Sequence, residues 1–110
     1  MNVNVSEMRR VVLIEVVGRV DSTNASKLGD SFNEQIDAGR KMLVVDLSRV
    51  EYMSSAGLRE MVAAAKKLRN DNGDLRLASP SPRVQEVLEL AGLNMIFQVY
   101  PTQVEAVGSF

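Results

Sequence analysis

The chain has 110 residues, 45% hydrophobic and 25% charged, with 13 basic against 14 acidic side chains. That is the size and balance of one self-sufficient globular domain, residues 1–110, with about 6,000 Å² of folded surface. It contains neither Cys nor His, which excludes disulfides, thiolate nucleophiles, imidazole or thiolate metal ligands, and Ser-His-Asp or Cys-His catalysis.

The near-even charge, formally −1, argues against a nucleic-acid binder, whose footprint is a strongly basic face. The N-terminal residues lack a basic-then-apolar secretory pattern. The longest apolar run, residues 11–17, is broken by Glu15 and falls far short of the roughly 20 residues of a membrane helix. A cytoplasmic protein without membrane association is the expectation.

In chain order, Val3 and Val5 alternate with polar residues and predict a short strand with one face in water. Residues 6–9 form a hairpin connection to a stronger strand over residues 10–18, which is too β-branched for a helix. Asp21, Ser22, Thr23 and Asn24 cluster as helix-capping residues. Ala25, Leu28, Phe32 and Ile36 then recur at helical spacing, and Gly39 stops the helix. The apolar run at residues 42–47, MLVVDL, predicts a strand covered on both faces.

After Ser54 and Ser55, a helix carries Leu58, Met61, Val62, Ala65 and Leu68 on one stripe, with Arg59, Glu60, Lys66, Lys67 and Asn70 largely away from it. Asn72-Gly73 closes that helix. Leu75 and Leu77 mark a short strand. Ser81-Pro82 opens a third helix with stripe Val84, Val87, Leu88 and Ala91, ended by Gly92. Residues 96–100 read as a last strand, and Thr102 with Glu105 has capping-box spacing for a short final helix.

Strands alternating with helices predict an α/β fold with right-handed crossovers. The sheet is mixed but mostly parallel, with about five strands and about four helices. Functional groups in such sheets gather where strands end and helices begin. Two of these turns, residues 20–24 and 50–58, carry hydroxyls and carboxylates.

The second turn holds Ser54, Ser55 and Gly57. One reading is structural: a serine caps the helix and Gly57 permits close packing. The other is a regulated hydroxyl, because a phosphate here would sit at the positive end of the helix dipole without unfolding the domain. A catalytic serine is disfavoured. Lys66 and Lys67 lie roughly 15 Å along the helix, and no phosphate-cradling glycine motif is present.

Gly18-Arg19-Val20-Asp21 followed by Ala25, Leu43-Val44-Val45-Asp46-Leu47-Ser48, and Tyr52-Met53-Ser54-Ser55-Ala56-Gly57-Leu58 stand in one order along the chain. With the elements around them, they resemble a STAS domain of the anti-sigma factor antagonist (anti-anti-sigma) family over nearly the whole length. The resemblance implies a STAS fold and a phosphorylatable serine at the start of the second helix. It implies two partners: a serine kinase that is also the anti-sigma factor, and a resetting serine phosphatase. The unphosphorylated antagonist binds the kinase and releases a sigma factor for transcription; the phosphorylated form does not.

Counting back from Gly57 places the phosphoacceptor at Ser55. The family's usual Asp is Ser54 here, which makes Ser54 a rival acceptor, and its second hydroxyl residue is Ala56. Asp21, Ser22, Thr23, Ser54, Ala56, Gly57 and Arg59 are the expected partner-binding residues, Asp21 serving equally as a helix cap. Neither a catalytic residue, a cofactor nor a metal is expected. Asp46 reads as a strand-end turn or cap residue, Lys66 and Lys67 as a solvated face, and Met53 as core filler or, near the switch, an exposed contact. The alternatives are a non-sigma STAS adaptor in a stress-signalling or lipid-transport complex and, last, a small-ligand binder at the strand ends.

Overall fold

The computed structural model describes residues 1–110. Five strands, β1 (Asn2–Met8), β2 (Val11–Val20), β3 (Met42–Met53), β4 (Asp74–Ala78) and β5 (Val99–Tyr100), form one sheet in sequential order. The β1–β2 pair is antiparallel and the other three pairs are parallel. Four helices connect and follow them: α1 (Ala25–Asp37), α2 (Ser55–Arg69), α3 (Pro82–Leu90) and α4 (Gln103–Gly108). The α/β class, the mixed sheet and the element order agree with the sequence-based expectation.

Strand period sorts the side chains into two unequal cores. Val12, Ile14 and Val16 of β2, Leu43, Val45 and Leu47 of β3, and Leu75 and Leu77 of β4 face one side. There they meet Leu28 and Phe32 of α1, Met61 and Leu68 of α2, and Val84 and Leu88 of α3. On the opposite face the buried apolar residues are Val11, Leu13, Val44 and Ala78, against Ala106 of α4.

The strand boundaries differ from the expectation. β1 and β2 pair up to Met8↔Val11, so the hairpin loop is the two-residue Arg9-Arg10, not residues 6–9. β3 continues past Leu47 to Met53 because Val50 and Met53 remain buried while Ser48, Arg49 and Glu51 point to water. This half-buried tail pairs with Val17–Val20 of β2 beyond a register shift between Glu15 and Val17, with a second shift after Gly18, whose φ is +98°. β5 shrinks to two residues: a 3₁₀ turn over Leu93–Met95 takes up the preceding chain, with the Phe97 N–H donating to the Leu93 carbonyl at 2.9 Å.

Asp46 is also corrected. It lies inside β3, 5% exposed, because α4 supplies a partner: Gln103 Nε2 donates to Asp46 Oδ2 and, at 3.1 Å, to Glu15 Oε2 on the neighbouring strand. Asp46 Oδ1 accepts from the Ser48 N–H at 2.8 Å. Burial of this carboxylate is thus matched by hydrogen bonds.

Candidate functional site at two adjoining turns

Extension of β3 alongside β2 brings the two polar turns together. Val20 pairs with Met53 in register, and the Ser54 N–H donates to the Val20 carbonyl at 2.8 Å. Arg19 stacks its guanidinium 4.6 Å from the Tyr52 ring centre, joining the same strand ends on the outside.

Within the second turn the two serines divide their roles. Ser54 is the N-cap of α2, in extended conformation, and its Oγ accepts from the Gly57 N–H at 3.3 Å. Ser55 is the first helical residue and is exposed; the turn's hydrogen bond engages Ser54 Oγ and leaves Ser55 Oγ to solvent. Ala56 is half-buried. At Gly57 a β-carbon would lie 2.7 Å from Val20 Cγ1 and would also strike Met53 Sδ. The glycine therefore lets the helix start seat directly on the strand ends. Met53 is 2% exposed and belongs to the core.

Charge along α2 suits an anion at this end. Its first turn contains no acidic residue, and its last turn carries Lys66, Lys67 and Arg69, which favour the negative end of the dipole. Arg59, one turn beyond Ser55, is exposed. Lys67 is not merely solvated: its Nζ donates to Asn33 Oδ1 of α1 at 3.0 Å.

The first turn is an Asp-centred loop. Asp21 Oδ1 accepts from the Thr23 N–H at 2.9 Å and from Thr23 Oγ1 at 2.6 Å. Its backbone carbonyl accepts from the Asn24 and Ala25 N–H groups. Asn24, at the N-cap, makes no side-chain cap; its Oδ1 instead accepts from the Asp21 N–H, and its Nδ2 donates to the Arg19 carbonyl. Asp21 thus closes the loop ahead of α1 without capping the helix by its carboxylate. Ser22 and Thr23 stand exposed at the loop tip.

The Thr23 hydroxyl, and next the Thr23 N–H, hold the Asp21 carboxyl below its ordinary pKa of 3.8. A lowered carboxylate pKa contributes stability that is present above about pH 4 and is lost as pH falls through the lowered value. Thr23→Val removes the leading hydrogen bond, so the Asp21 pKa is expected to rise toward 3.8. Carboxyl-detected NMR titration measures it directly, and an unchanged midpoint would contradict the assignment.

Beside Ser55 a groove of about 530 Å³ runs between α2 and the segment after α3, lined by Leu58, Arg59, Val62, Lys66, Ala91 and Leu93 among others. Leu90, the last residue of α3, and Met95 on the following segment are 81% and 86% exposed. Sequence reasoning missed this second wall. Ala91, read from the sequence as part of the buried α3 stripe, instead follows the end of α3 and is exposed on this wall. No three His, Cys, Asp or Glu side chains are placed to hold a metal ion, and no helix is long and apolar enough to cross a membrane.

With this geometry, comparison with known proteins is decisive for the class. The STAS domain family model matches residues 2–106, and the chain belongs to the STAS domain family. BtrV of Bordetella bronchiseptica is 36% identical over 110 residues, covering 100% of this chain and 95% of that one. The anti-sigma-B factor antagonist of Listeria monocytogenes is 33% identical over 97 residues, covering 87% and 84%. The crystal structure of an anti-sigma factor antagonist from Mycobacterium paratuberculosis superposes with a TM-score of 0.90 at 28% identity, covering 98% of this chain and 92% of that one.

Proposed function

We propose that this chain is an anti-sigma factor antagonist whose binding to an anti-sigma serine kinase is switched by phosphorylation of Ser55. In its unphosphorylated form it sequesters the kinase and frees a sigma factor for transcription; a serine phosphatase restores that form. The chain acts by binding rather than by catalysis, as a single cytoplasmic domain. The relatives named as antagonists support the role, and the resemblance around residues 52–58 supports the serine.

One observation carries the choice of residue. Ser54 spends its hydroxyl on the helix cap, whereas Ser55 presents a free hydroxyl at the helix start. A phosphate on Ser55 would be favoured by the N-terminal dipole of α2 and by the nearby Arg59 cation. The fold therefore tolerates the modification, and the effect falls on the partner. In this reading the kinase covers the two adjoining turns, touching Asp21, Ser22, Thr23, Ser54, Ala56 and Arg59, and the exposed edge of α2. Gly57, expected as a contact, is buried against Val20 and Met53 and serves packing instead. About 800 Å² on this side makes a standard interface.

Incubation with the cognate kinase and ATP is expected to add one phosphate by intact mass. Fragmentation should place it on Ser55, Ser55→Ala should abolish it, and Ser54→Ala should retain it despite loss of a cap worth about 1 kcal/mol. No added phosphate would favour the constitutive STAS adaptor, and phosphate on Ser54 would reverse the assignment.

A further inference from the structure

The lightly covered face of the sheet holds a feature that the Ser55 switch does not use. Helix α4 packs on β3, β4 and β5 and reaches Val11 and Leu13 of β2, while β1 at the edge stays largely exposed. A groove of about 720 Å³ lies between the hairpin and α4, with Met8, Val11, Met42, Val104, Val107 and Phe110 as its apolar lining. Val104 is 81% exposed and Met8 44%, so this is apolar surface held in water. The volume falls in the range of small-molecule pockets.

The charge in the groove is of one sign. Arg9 and Arg10 line it, both are exposed, and no acidic residue does so. Neither guanidinium is ion-paired; the hairpin's own Glu7 is taken by Arg40 at 2.5 Å. The two arginines also fill both positions of a two-residue hairpin loop, in which only the first has positive φ, the position where Gly is preferred. Arg9 is held at φ +62°, a left-handed conformation that a β-carbon disfavours. The loop thus keeps two free cations where local stability favours other residues.

We propose that this groove binds an amphiphilic carboxylate of the fatty-acid type, its chain along Met8, Val11, Met42 and Val107 and its head between Arg9 and Arg10. The guanidinium fork suits a carboxylate. A neutral amphiphile leaves both cations unpaired, and a small acid leaves the apolar wall wet. Gln103 lines the same groove and bridges Asp46 and Glu15, so the ligand touches the helix that is tethered to the sheet. This site is independent of the Ser55 reading.

The test is titration of the full chain with decanoate below its micelle-forming concentration, followed by amide NMR. Saturable shifts are expected at residues 8–11 and 103–110, with acetate and decanol binding at least about tenfold more weakly. The double variant Arg9→Gly with Arg10→Asn should also bind about tenfold more weakly while unfolding at the same or a higher temperature. Absence of saturable shifts there, equal affinity for decanol, or undiminished binding by the double variant would overturn the proposal. So would co-sedimentation with phosphatidylglycerol vesicles without a response to dissolved decanoate, which would make this face a membrane contact.

Discussion

Ser55→Asp is expected to weaken binding of the anti-sigma kinase more than a hundredfold, while Ser55→Ala stays within a few-fold of the parent. Ser55 lies at the junction of two turns that are joined by the Ser54–Val20 hydrogen bond, so a partner covering both turns desolvates it. An unmatched negative charge in a buried interface costs several kcal/mol, and about 3 kcal/mol corresponds to more than a hundredfold in affinity. The alanine variant loses a hydroxyl that makes no bond within the turn and introduces no charge. Stability should not follow affinity: an acidic residue in the first turn of α2 is favoured by the dipole, so Ser55→Asp should unfold at or slightly above the parent temperature. Calorimetry with purified kinase distinguishes the outcomes, and equal affinities for the two variants would remove the basis of the switch.

Phe32→Ala is expected to produce the largest stability loss, about 3–5 kcal/mol. Phe32 is fully buried and lies in the larger core with strands β2, β3 and β4 and helices α1, α2 and α3. Truncation removes the aromatic ring from water-free contact and leaves a cavity that the close-packed sheet and helices around it do not readily close. For a domain whose total stability is about 5–15 kcal/mol, that is a large fraction. Urea unfolding should show a lowered midpoint at unchanged slope. A loss below about 1 kcal/mol would mean that the helices collapse onto the vacated volume.

What the sequence disclosed follows from where each interaction is encoded. The stripe of Ala25, Leu28 and Phe32, the run at residues 42–47, and the polar turn before Gly57 are local patterns, and each element they predict is present. The tail of β3 was hidden because its apolar residues, Val50 and Met53, are spaced irregularly among Arg49, Glu51 and Tyr52. Only pairing with the register-shifted end of β2 keeps it extended. Asp46 was misplaced because its partner, Gln103, is 57 residues away. Nothing near Asp46 in the chain announces that bond.

The site was legible to a similar degree. Ser54 and Ser55 were visible as a pair, but only the geometry separates the capping hydroxyl from the free one. The adjacency of the Asp21 loop needed the parallel register of β2 and β3. The second wall of the groove beside Ser55 depended on where Ala91 and Leu93 fall in space.

Strand order in this sheet repeats chain order, from β1 at one edge to β5 at the other. A chain emerging from the ribosome can therefore add each strand beside its immediate predecessor, with no earlier pair to prise apart. Such vectorial growth keeps sequence separations between paired strands small for a mainly parallel sheet, a topology that otherwise folds slowly and is exposed to aggregation.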